Sequence, residues 1–186
     1  MPIFGRKRNK EYQEAARLLA DGKTEAAVGA LRTFLEKHPK HTDAKVSLAV
    51  ALIHAQENPS KDSGLTIEAL QLLDEAADSN PKDPVPLFNK GVCLRDLGQL
   101  DDALESFEAA VDVEERLPLA ILHMAEINYE LERYEKAVEL ARLALIRDPG
   151  IEGALNWVPE AMKKAGYMDE EGNVTNTPWE EETPHG

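Results

Sequence analysis

The 186-residue sequence has one cysteine, Cys93, which excludes an intrachain disulfide and removes any demand for an oxidising compartment. Aromatic residues make up 5% of it, with two tryptophans, a poor supply for a β-sandwich built on aromatic and β-branched strands. Basic residues are also scarce: 21 Lys and Arg stand against 35 Asp and Glu, a net charge of −14. A nucleic-acid binder needs a basic face to displace counterions from phosphate, so nucleic acid is not an expected partner. No apolar run approaches the roughly 20 residues of a membrane helix, so integral membrane association is not expected. The basic start, Met1 to Arg8, lacks an apolar stretch and has proline at position 2, so neither a signal peptide nor a myristoylation signal is expected. A cytoplasmic protein is the expectation. There is no Gly-rich phosphate loop, no His-Glu-x-x-His and no cysteine pair, so neither catalysis nor a cofactor is expected.

What the chain does contain is alanine and leucine at helical spacing, within 42% hydrophobic residues. Ala69, Ala103 and Ala137 are successively 34 residues apart. Around Ala69 the same frame carries Leu73, Ala76 and Pro81; around Ala103 it carries Phe107 and Ala110; around Ala137 it carries Ala141, Ala144 and Pro149. Ala27, Leu31, Phe34 and Pro39 repeat the internal spacing, but Ala27 to Ala69 is 42 residues. The excess of eight falls in the polar, breaker-rich stretch from Asn58 to Gly64, which reads as a lengthened loop. Asp21-Gly22, Leu97-Gly98 and Glu132-Arg133 read as turns within pairs of helices. Asn80-Pro81, Leu117-Pro118 and Asp148-Pro149-Gly150 read as turns between pairs. Helices can cross closely only through small residues, so Ala49 is expected to meet Ala69, Gly91 to meet Ala103, and Ala125 to meet Ala137.

The period and this pattern of small residues, large residues and proline resemble the tetratricopeptide repeat over residues 9 to 149. The third unit carries the pattern best, through Leu87, Gly91, Leu94, Ala103, Phe107 and Ala110, although Glu115 stands in its proline slot. The first is weakest, with Glu14-Ala15 replacing the usual Leu-Gly. The resemblance implies an all-α, right-handed solenoid of four helix pairs with a C-terminal cap. The expected parts are a basic segment at 1–8, a repeat domain at 9–166 and an acidic flexible tail at 167–186. Within the domain the units are 9–41, 42–83, 84–117 and 118–150, followed by a capping helix at 151–166 that is kinked by Pro159 and carries Trp157.

In this family the first helices of successive units line a groove. The resemblance places Tyr12, Val46, Val50, Phe88, Asn89, Val92, Arg95, Leu122, His123 and Glu126 in it, with Tyr129 at its end. Val46, Val50, Phe88, Val92 and Leu122 would form an apolar strip with a polar rim. A protein or peptide partner is expected, as an adaptor would hold it: a peptide or amphipathic helix, basic charge suiting the acidic chain. The alternative is a structural module that self-associates through its end faces or groove. Some family members clamp chaperone tails with Lys, Arg and Asn. At the matching slots this chain offers Tyr12, Ala16, Ser47 and Phe88, with only Asn89 of the right type, so that clamp is not expected.

Ile3-Phe4 or the stretch around Trp179 could occupy the groove, and Arg6-Lys7-Arg8 could touch anionic lipid weakly, at about 1 kcal/mol per basic residue. His38, His41 and Asp43 lie within six residues, but a turn with polar side chains accounts for them better than a metal site. Cys93, between Val92 and Leu94, reads as a small core residue.

Overall fold

A computed structural model describes residues 9–175 and residue 177. Arg6-Lys7-Arg8, Ile3-Phe4 and Trp179 lie outside the described residues. The chain divides into two compact units, Met1–Val113 and Glu114–Gly186.

In the first unit, α1 (Lys10–Ala20) pairs with α2 (Thr24–Lys37), α3 (Thr42–His54) with α4 (Gly64–Ser79), and α5 (Val85–Asp96) with α6 (Leu100–Val113). Neighbouring pairs join because α2 packs on α3 and α4 on α5. The first helices also touch, α1 on α3 and α3 on α5, so these three share one face.

Local sequence explains the boundaries. The Asn9 side chain accepts the Glu11 amide and starts α1. The α1–α2 turn closes with the Lys23 amide on the Leu18 carbonyl and the Gly22 amide on that of Leu19. Gly22 there has φ of +71°, a left-handed conformation that costs glycine little. Gly98 makes the same turn between α5 and α6. The lengthened loop precedes α4 and is tied to the core: the Gln56 side-chain amide donates to the Leu52 carbonyl and to the hydroxyl of fully buried Thr66.

The core is the predicted alternation of small and large residues. Ala27, Ala49, Ala69 and Ala103 are fully buried, as is Phe107. The close approach at Gly91 is made by the Phe107 ring: a Cβ on Gly91 would lie 2.8 Å from two ring carbons. Exposed ion pairs decorate this framework, including Arg32 with Glu68 at 2.7 Å and Lys90 with Asp74 at 2.6 Å. Each such pair is worth at most about 1 kcal/mol.

In the second unit, α7 (Pro118–Glu130) pairs with α8 (Tyr134–Arg147). Their turn repeats the first unit's, with the Arg133 amide on the Asn128 carbonyl, but Glu132 occupies the left-handed position at φ +57°. The expected capping helix is two pieces: a 3₁₀ turn at Pro149–Ala154, and α9 at Val158–Lys164, both packed on α8. Pro159 cannot sit inside a continuous helix, and here it falls in the first turn of α9.

The stretch expected to begin a flexible tail at residue 167 starts as a closed turn. Met168 bridges Val174, the Thr175 amide donates to the Tyr167 carbonyl, and the Asp169 carboxylate accepts both the amide and the side chain of Asn173. Those hydrogen bonds hold the Asp169 carboxyl below its ordinary range.

Candidate functional site

The face shared by α1, α3 and α5 holds the first unit's share of the predicted site. Tyr12, on α1, is half-buried and already engaged: its hydroxyl is 3.1 Å from Ser47 Oγ and donates to the Asp43 carbonyl at 3.3 Å. Its ring lies 4.8 Å from that of His41 and 5.8 Å from that of Phe34. Tyr12 therefore joins the first pair to the second.

On α3, Val46 is 9% exposed and belongs to the core, whereas Val50, one turn on, is half-buried. On α5, Phe88 and Val92 are both half-buried. The Phe88 ring stands edge-on to Phe107, with centroids 5.6 Å apart at 63°. Asn89 is half-buried; its side-chain nitrogen donates back to the Val85 carbonyl at 2.8 Å, which leaves the carboxamide oxygen for another donor. Arg95 is half-buried further along the helix. The apolar strip of this unit is thus Val50, Phe88 and Val92, narrower than the expected one because Val46 turns inward.

In the second unit Leu122 is 6% exposed and is likewise core. His123 and Glu126 are half-buried, with His123 Nδ1 and Glu126 Oε2 at 3.3 Å. Trp157 docks on α7, its ring centroid 4.9 Å from that of Tyr129 and tilted by 34°. Tyr134, at the start of α8, lies 5.9 Å from Tyr129 at 64°. Burial, and then the Glu160 carboxylate that accepts its hydroxyl, raise the Tyr129 phenol above its ordinary value. Tyr134 and Glu160 were not legible as site neighbours in the sequence: one opens a second helix, the other stands in the cap.

The remaining reactive side chains have structural roles. His41 Nδ1 accepts the Ala44 amide at 3.2 Å and caps α3, and the His38 ring packs on Phe34. Among the described residues, no three His, Cys, Asp or Glu side chains are grouped to hold a metal. Cys93 is 3% exposed, and burial, then the nearby Asp96 charge, push its thiol up to about 12.

A family model described as tetratricopeptide repeat matches residues 12–84, 63–118 and 88–150. Among curated proteins, mouse tetratricopeptide repeat protein 21A is 24% identical over 168 residues, covering 76% of this chain and 13% of that protein. Soybean Hsp70-Hsp90 organizing protein 1 is 24% identical over 97 residues, covering 52% of this chain and 17% of that one. The chain therefore spans less than a fifth of either relative's length. Among solved structures, a thermophilic tetratricopeptide-repeat protein of Thermus thermophilus superposes with a TM-score of 0.70 at 22% identity, covering 82% of this chain and 80% of that one. MamA from Desulfovibrio magneticus superposes with 0.63 at 19% identity, covering 76% of each. These structural likenesses concern the fold. No described helix is long and apolar enough to cross a membrane.

Proposed function

Because the chain belongs to the tetratricopeptide-repeat family, whose members generally bind protein partners, we propose that it is an adaptor and that the α1–α3–α5 face receives a peptide or amphipathic helix. The observation carrying this reading is the strip of Val50, Phe88 and Val92, left half-buried on two adjoining helices and bordered by Asn89 and Arg95. Apolar side chains inside a polar border suit a helix laid along the face with anchors at successive turns. His123 and Glu126 offer the second unit's own polar surface. The names of some relatives link them to Hsp70 and Hsp90. Here the clamp slots hold Tyr12, Ser47 and Phe88, with Tyr12 bonded to Ser47, so a chaperone-tail clamp is not the mode proposed.

The test is selection of displayed peptides on the immobilised full chain, followed by affinity measurement on Val50→Ser, Val92→Ser and Arg95→Ala. These variants spare the Phe88–Phe107 contact. A loss of about thirtyfold in at least one apolar variant, matching a hot-spot truncation of about 2 kcal/mol, is expected with melting unchanged. Selected peptides that bind all three variants at wild-type affinity would place the site elsewhere. A second reading, self-association, is favoured by Leu143 and Ile146, exposed at 37% and 61% on α8. Light scattering across a concentration series that shows only monomer removes it.

A further inference from the structure

The second unit carries a cluster that a cap alone does not explain. Tyr129 meets both Trp157 and Tyr134, with centroids 4.9 Å and 5.9 Å away, and all three residues keep part of their surface exposed. The Trp157 Nε1 atom is buried, so the indole's polar end is turned away from solvent. The faces of aromatic rings carry negative potential and attract cations. Glu160 stands exposed where its carboxylate meets the Tyr129 hydroxyl. Glu126 is three residues before Tyr129, on the same side of α7. Helix α7 itself contains no Lys or Arg, and Lys163 of α9 is drawn toward Glu170, bonding its carbonyl at 3.0 Å. The ring faces and the Glu160 carboxylate, both negative in sign, therefore lie together beside Tyr129.

We propose that this aromatic and carboxylate cluster binds a cationic side chain, arginine or lysine, of a partner protein. The occupant follows from charge complementarity: ring faces attract the cation's flat or compact head, and Glu160 supplies the counter-charge. Packing of the cap accounts for the inner side of Trp157, whereas half-buried aromatic residues beside an exposed carboxylate are what a cation site requires. The proposal relies on the adaptor reading only for the origin of the side chain. Its test uses small probes, so failure to find a peptide for the first unit leaves the result unaffected.

The experiment is an NMR titration of the full chain carrying Trp179→Phe, so that one indole reports. The probes are N-acetyl-arginine methylamide and its neutral isostere, N-acetyl-citrulline methylamide. The Trp157 indole and Tyr129 amide should shift saturably with the arginine probe and stay nearly still with citrulline. Glu160→Gln, which keeps the shape, and Tyr129→Leu should each weaken the arginine response by about fivefold, as expected for losing one charge or ring contact. An equal response to citrulline, or unchanged arginine affinity in either variant, overturns the proposal. Thermal melting of both variants checks that a lost response is not lost structure.

Discussion

Gly91→Ala should destabilise the first unit, although alanine is the better helix former. The added Cβ would sit 2.8 Å from Phe107 Cδ1 and Cε1 and 2.9 Å from Cζ. Ordinary carbon contact begins near 3.5 Å, so the ring must retreat by about 0.7 Å. It has little room: Phe107 is fully buried and its neighbour Phe88 already stands against it. Overpacking of a closed core costs about 1–3 kcal/mol, whereas glycine to alanine in a helix gains about 0.8–1.0 kcal/mol. Three ring atoms are struck at once, which puts the cost in the upper part of its range and the net loss at about 1–2 kcal/mol.

Hydrogen exchange of the α5 amides, with urea unfolding followed by circular dichroism, measures this in the first unit. Gly29→Ala is the control. Gly29 is exposed within α2 and a Cβ there meets nothing within 4 Å, so that variant should gain about 0.5–1 kcal/mol. Phe107→Leu supplies the other corner of a double-mutant cycle and should relieve the Gly91→Ala clash, with a favourable coupling of about 1 kcal/mol or more. A stabilising Gly91→Ala, or a cost that persists unchanged in the Phe107→Leu background, refutes the reasoning.

Two further outcomes follow from single residues. Glu132→Gly should stabilise the second unit by about 0.5–1 kcal/mol in thermal melting, because a left-handed L-residue costs roughly 1–2 kcal/mol and glycine returns part of that in chain entropy. An unchanged or lower melting temperature counts against it. Cys93, its thiol raised to about 12, should resist thiol reagents in the native chain at mildly alkaline pH and react readily in urea. The sign for stability is a loss as pH rises past the ordinary thiol range, since the unfolded chain then ionises Cys93 while the native chain does not. Removal of that pH dependence by Cys93→Ala is the check.

Much of the architecture was legible because helix packing writes itself in spacing. Ala27, Ala69, Ala103 and Ala137 mark the crossings, and all four are fully buried. The turns were legible from Gly22 and Gly98, and the eight extra residues from their polar, breaker-rich composition. The side-chain phase on the inner helices was harder. Helices α3 and α7 are apolar round most of their circumference, so periodicity does not select an outward face, and Val46 and Leu122 turn out to be core. On α5 fewer positions are buried, namely Pro86, Gly91, Cys93 and Leu94, and there Phe88 and Val92 remain half-buried.

What the sequence determined by itself was the number, type and spacing of helix pairs, because each pair satisfies its own backbone and needs small residues at its crossing. Tertiary structure decided which atoms actually meet. It set the Phe107 ring over Gly91, bound Tyr12 to Ser47, broke the cap before Pro159, and brought Tyr134 and Glu160 to Tyr129. Those outcomes depend on the separation and rotation of packed helices, which a repeat period constrains only to within a side chain's width.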